Sequence, residues 1–193
     1  MSAEDRRADL IGVALALMRE GGPDRVTMGS VAERSHVTRA LVYKHFANRR
    51  ELLGAVFRSE SAKLEASLVA GVAAVSGFEP QLRAFISLVL RAIDSHGWMF
   101  APFEARTSDS TSRRAQRWDR RTVRYFAKRA SEELGLPDAE ATLALGILFS
   151  GLGSLRSQAR RMDAAERKRL EDLYVDLVMG ALSRLRERVG AQR

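Results

Sequence analysis

The chain has no cysteine, only four prolines and three histidines, and an aromatic share of 7%. The missing thiols exclude a disulfide framework, every Cys-based zinc or redox site and a Cys nucleophile. The histidines, at 36, 45 and 96, have no metal-ligand spacing. No segment reaches eighteen uninterrupted apolar residues, and the opening MSAEDRRADL is charged, so neither a membrane span nor a signal peptide is expected. The cytoplasm is the expected location. No Ser lies in a nucleophile elbow, and no catalytic constellation is found. Gly146 and Gly151 have the spacing of a phosphate-binding loop, but Leu152 stands where that loop needs Lys, and the run reads as mid-helix. The expectation is a protein that is not an enzyme and has no metal or cofactor.

What the chain does have is length and positive charge. Its 193 residues can bury a sizeable core, as one domain or as a small head on a larger body. A net charge of +8 and a pI near 10.7 favour a polyanionic partner. Nucleic acid leads. An anionic membrane surface is the rival, and its signature would be a basic amphipathic helix with aromatic residues on the apolar face. RRAQRWDRRTVRYFAKR, Arg113 to Arg129, comes nearest to that pattern.

Ala, Leu, Arg and Glu dominate, and apolar residues recur at spacings of three and four, which is the helical period. The fold class expected is all-α. Leu10, Ala14, Leu17 and Met18 make one stripe of a first helix that Gly21, Gly22 and Pro23 end. Thr27 caps a second helix through about Ser35, and Thr38 a third through about Phe46. Asn48 and Glu51 form a capping pair for a long fourth helix, Arg49 to about Val75, which Ser76 to Pro80 break. Further helices are expected at about Gln81 to Ser95, Met99 to Ala105, Ser112 to Leu134, Ala139 to Arg160 and Ala164 to Val189, making about nine. The expected division is a head over residues 1–50 and a helical body over 51–193.

The stretch from Thr27 to Phe46, TMGSVAERSHVTRALVYKHF, reads as helix, four-residue turn, helix. That is the geometry a helix-turn-helix uses to lay its second helix in a major groove. Val42 and Phe46 share a face, with Val37 ahead of them, and meet Val31 and Ala32 as core. Arg39, Ala40, Tyr43 and Lys44 project elsewhere, with Leu41 and His45 adjacent one turn apart, so the outer surface is cationic, aromatic and short-chained. The bland reading of the two threonines is as helix caps, worth about 1 kcal/mol each, and it holds beside any further role.

From Leu10 to Leu53 the chain resembles, without a gap, the DNA-binding head of the TetR family of bacterial repressors. The residues that carry the resemblance are Ala14, Leu17, Glu20, Gly22, Thr27, Val31-Ala32, Val37-Thr38, Tyr43, His45-Phe46 and Glu51-Leu52. The resemblance implies that Thr27, Tyr43 and His45 meet backbone phosphates of double-stranded DNA, with Arg49 where the family usually has a Lys doing the same. It places Thr38, Arg39, Ala40 and Leu41 where the family reads base edges, with Lys44 a further contact. There are three departures: His36 replaces the usual turn Gly, Ala40 a Gly that allows close approach, and Leu41 a small polar residue. His is among the few non-Gly residues enriched at positive φ, so the turn is expected to survive.

The resemblance also implies a body that binds a small-molecule effector and pairs with a second copy. Candidates for an effector site are Phe85, Leu88, Val89, Trp98, Phe100, Phe103 and Glu104, with Trp118 and Tyr125 further on; the same set also reads as ordinary core. For a homodimer interface the candidates are Leu145, Phe149, Leu152 and Leu155, in an apolar run rich in small residues, and Leu173, Leu177 and Leu182 on the last helix. A core-only reading of these stays open. The expected function is a ligand-responsive DNA-binding transcriptional regulator. A dimeric repressor released from a pseudo-palindromic operator is expected, and the alternatives are an effector-independent activator or a basic membrane-surface protein.

Overall fold

The structure is a computed structural model that describes residues 2–96, 109–159 and 161–191, without the side chains of 93–96, 109–119, 153, 156 and 157. Among the described residues the regular elements are nine α-helices and one 3-10 turn, so the all-α expectation holds. Two compact units form, one from residues 2–65 and one from residues 66–96 with 109–191.

In the first unit, α1 (Ala3–Gly21) starts from Ser2, whose hydroxyl accepts from the Asp5 amide while the Asp5 carboxylate accepts from the Ser2 amide, each at 3.0 Å. The helix ends where Gly22 takes φ 77° and Pro23 begins the 3-10 turn Pro23–Arg25. Helix α2 (Met28–Arg34), the turn and α3 (Arg39–His45) follow, and then α4 (Arg49–Ala73). His36 does adopt the left-handed conformation, at φ 54°. The core is the one that the spacing picks out: Leu10, Ala14, Val31, Val42 and Phe46 are fully enclosed, joined by Val26, Leu52 and Val56. Each large side chain buried this way contributes about 1.5–3 kcal/mol, which fixes α3 across α1 and α2 by its Val42–Phe46 face.

Helix α4 contributes residues to both units. The second unit continues with α5 (Phe78–His96), α6 (Asp109–Leu134), α7 (Asp138–Ser150), α8 (Leu152–Ala159) and α9 (Ala164–Gly190). The helix expected at Met99 to Ala105 lies outside the described residues. The single helix expected over Ala139 to Arg160 is interrupted at Gly151, whose backbone stays in the right-handed region, so the break is not one that only glycine allows. Four rings form the centre of this unit: Phe126 lies 6.1 Å from Phe78, 5.3 Å from Phe85 and 5.5 Å from Phe149, edge-on or tilted. Polar ties hold the helices around them. Glu133 of α6 accepts from the Phe78 amide at 2.7 Å and so caps α5, Arg83 of α5 pairs with Asp172 of α9, and the Tyr174 hydroxyl of α9 donates to the Leu148 carbonyl at 2.6 Å.

Candidate nucleic-acid interface

Two threonines set the geometry of the head's outer surface. Thr27 accepts from the Ser30 amide at 3.0 Å, and Ser30 in return accepts from the Thr27 amide at 2.9 Å. Thr38 accepts from the Leu41 amide at 3.3 Å and opens α3. With both helix starts pinned, and with Val42 and Phe46 drawn into the core, the helical period turns Arg39, Ala40, Tyr43 and Lys44 outward together. Tyr43 is 54% exposed, which is high for a ring that has no role at the surface. Leu41 and His45 flank this row, half-buried. The result is one surface carrying two cations, a phenol and one small side chain, with a leucine and an imidazole at its edge.

Two arginines are positioned in ways that their spacing does not reveal. The Arg39 guanidinium lies over Gly29 of α2, so close that a Cβ on residue 29 would stand 2.9 Å from Nη2 and 3.1 Å from Nε. Arg49 points into its own unit: Nε donates to the Val26 carbonyl and Nη2 to the Pro23 carbonyl, each at 2.6 Å, and Asp24 lies 3.5 Å away. It thus holds the loop between α1 and α2, directly before the Thr27 cap.

Other charges brace the head from the sides. Arg34 donates from Nη1 to Glu20 at 3.1 Å, and that hydrogen bond holds the Glu20 carboxyl below its ordinary range. Arg7 lies 4.6 Å over the Phe46 ring and within 4.0 Å of Glu51, while Glu51 accepts from the Ala47 amide at 2.8 Å and receives its own amide cap from Asn48 at 3.0 Å. Glu60 of α4 is only 2% exposed, with Lys63 at 2.7 Å and Arg19 at 3.3 Å. Sequence patterning gave no sign of that buried carboxylate.

The head and the chain around it match known proteins in sequence and fold. The family model described as bacterial regulatory proteins, tetR family, matches residues 10–56. Residues 10–56 are therefore a tetR-type DNA-binding head. It is 29% identical over 162 residues to the HTH-type transcriptional regulator BetI of Agrobacterium fabrum, covering 79% of this chain and 78% of that one. Over 59 residues it is 36% identical to a DNA-binding transcriptional repressor TetR of Mycobacteroides abscessus, covering 31% of each chain. Among solved structures, a tetR-family regulator from Streptomyces coelicolor superposes with a TM-score of 0.74 at 25% identity, covering 99% of this chain and 90% of that one. The protein is a DNA-binding transcriptional regulator, and the head's outer row is its candidate contact surface.

The body carries the remaining candidates. Phe85 and Val89 are buried, Phe85 within the ring cluster, and Leu88 packs where Gly71 of α4 leaves room for it. Tyr125 is 42% exposed and donates its hydroxyl to the buried Gln81 at 3.0 Å, so it faces away from that interior. Trp98, Phe100, Phe103 and Glu104 lie outside the described residues, as does the side chain of Trp118. Phe126, at the centre of the rings, was not singled out by the sequence pattern.

The dimer candidates divide by exposure. Leu145, Phe149, Leu152, Leu155 and Leu182 are buried within the chain's own core, at 9% exposure or less. Leu173 and Leu177 do face outward, at 57% and 58%, and on α7 the outward pair is Leu143 and Ile147 instead. The physical reason is that α7 is apolar on nearly every side, so composition alone does not tell its inner face from its outer one. Leu143 and Ile147 also line a shallow groove of about 630 Å³ beside Arg120 and Arg124 of α6.

The described part of α6 has its apolar face enclosed, with Phe126, Ala127 and Ala130 all buried, which leaves a lipid surface little to bind there. No helix among the described residues is long and apolar enough to cross a membrane.

Proposed function

We propose that the protein is a homodimeric repressor that holds a pseudo-palindromic operator through the outer row of α3 and is released by a small apolar or amphipathic effector. The single observation that carries the DNA half is the surface formed by Arg39, Ala40, Tyr43 and Lys44 on α3, directly after its Thr38 cap. Tyr43 and His45 hold backbone phosphates, as does the Thr27 helix start. Thr38, Arg39, Ala40 and Leu41 address base edges, with Lys44 beside them. Arg39 is the bidentate partner of a guanine, and the Ala40 and Leu41 methyls meet thymine methyls. Arg49, engaged with the Pro23 and Val26 carbonyls, acts on DNA indirectly by fixing the loop that presents Thr27.

Two copies of α3, about 34–36 Å apart, would occupy successive major grooves. The outward leucines of α9 and the Leu143–Ile147 strip of α7 supply the apolar faces that pair the subunits. An effector settling near Phe85, Leu88 and Val89 releases DNA only if it binds the released state more tightly than the operator-bound one. The repressor reading is supported by the Mycobacteroides abscessus relative, a DNA-binding transcriptional repressor.

The experiment is selection of duplex DNA from a random pool, followed by the salt dependence of binding to the selected sequence. An inverted repeat is expected, with log K falling by about 0.9 per neutralised phosphate for each tenfold rise in salt. If no sequence is enriched and salt abolishes the weak binding that remains, the operator reading is wrong.

A further inference from the structure

Gly29 makes no DNA contact in the reading above, and it sits in the first turn of the helix that precedes α3. Its relation to Arg39 gives it a role. A Cβ built on residue 29 would lie 2.9 Å from Arg39 Nη2, 3.1 Å from Nε and 3.2 Å from Cζ. Three atoms of one planar group at nearly equal distances mean that the guanidinium rests against the backbone of α2, in space that any other residue would fill. Arg39 is otherwise exposed, at the first position of α3, with a long side chain that has many rotamers available to it.

We propose that Gly29 is a specificity-determining residue of the DNA-binding head. By lacking a Cβ it seats the Arg39 guanidinium on α2 and so sets the direction from which Arg39 meets the bases. This inference rests on the reading that Arg39 addresses base edges. Its chemistry is geometric: a bidentate Arg–guanine contact needs the fork in one plane at one place, and a side chain held there before DNA arrives loses less freedom on binding. When a methyl group occupies the seat, the guanidinium is pushed off α2 and points to a different part of the groove.

Position 29 also makes a clean probe. What a methyl displaces there is the flexible end of a side chain rather than backbone, no positive φ holds the position, and Ala is the better helix former. Gly29→Ala should therefore unfold at the same temperature as the parent protein or higher.

The test is duplex selection with the full-length parent protein, Gly29→Ala, Arg39→Ala and the double variant, followed by binding titrations on the parent's selected operator. The expected result has three parts. Gly29→Ala alters base preference at the positions that Arg39→Ala alters and at no others. It weakens binding to the parent operator by about 3-fold to 10-fold. In the Arg39→Ala background it changes binding by less than about 2-fold, because there is then no guanidinium to displace. The inference is overturned if Arg39→Ala shifts base preference while Gly29→Ala selects the parent sequence, or if the two effects simply add. It is also overturned if Gly29→Ala lowers the unfolding temperature, since the seat would then be part of the fold. A different result marks failure of the underlying reading: Arg39→Ala weakens every sequence alike, and the specificity role of Gly29 falls with it.

Discussion

Arg49 Nε donates to the Val26 carbonyl at 2.6 Å, one residue before the threonine that caps α2. A second donation from the same guanidinium reaches the Pro23 carbonyl, which also accepts from the Val26 amide at 3.1 Å, so one side chain from α4 ties both ends of the loop. Arg49→Met removes both donations, leaving Pro23 only its bond from the Val26 amide, and is expected to lower the stability of the head by about 1–3 kcal/mol in urea unfolding. The slope of log K against log salt for operator binding should stay unchanged. A slope smaller by about one, with unfolding unaltered, would put Arg49 on a phosphate instead.

Tyr43 and Arg39 should fail in different ways. Removing the Tyr43 hydroxyl is expected to weaken binding to specific and unrelated duplexes by a similar factor, since a phosphate carries no sequence. Arg39→Ala should cost about 1–3 kcal/mol on the preferred operator and much less on sequences altered at the bases it addresses. Titrations of each variant against the operator and its single-base variants separate the two.

The difference in exposure along α9 gives a contrast between two of its leucines. Leu177 is 58% exposed, so Leu177→Arg should leave the subunit folded while shifting it from dimer to monomer in sedimentation velocity. Leu182, fully enclosed one turn further on, should not tolerate the same change, because an unpaired guanidinium inside a core is among the costliest single substitutions. If Leu177→Arg stays dimeric at micromolar concentration, the outward face of α9 is not the interface.

Burial pushes the Tyr174 phenol up to about 12, where an unperturbed tyrosine titrates near 10. The folded protein thus keeps a proton that the unfolded chain gives up in that window. The associated stability is complete below about pH 10 and is lost as pH rises towards about 12. Unfolding free energy measured across this range should fall more steeply for the parent protein than for Tyr174→Phe, which has no proton to lose there. Below pH 10 the same variant should be less stable by about 1 kcal/mol, having lost the hydrogen bond to Leu148.

Much of the head is legible in the sequence because its signals are local and agree with one another. Thr27 and Thr38 announce helix starts, Gly22 and Pro23 announce a stop, and Val31, Val42 and Phe46 fall on the inner face at the helical period. The body gives weaker signals. Nothing local marks the interruption at Gly151, and the apolar residues surrounding α7 conceal which of its faces meets the subunit's own core. Contacts that depend on distant segments are silent in the same way. Glu60 is buried and pairs with Arg19, which lies 41 positions away, and Phe126 gathers three rings from two other helices. The Arg39–Gly29 contact belongs with these, since neither residue carries a pattern that points to the other.

His36 shows how little the turn itself demands of its residue. Its φ of 54° crowds a Cβ that glycine would lack, so a glycine there would relax the folded turn. The unfolded chain would also gain freedom at that position, which raises the entropy that folding must overcome. Each effect is about 0.4–1 kcal/mol and they oppose each other, so exchanging the two residues should leave the folding equilibrium almost level. Between glycine and histidine the choice at residue 36 is thus nearly neutral, and an exposed imidazole can occupy the left-handed position of the turn at little net cost to folding.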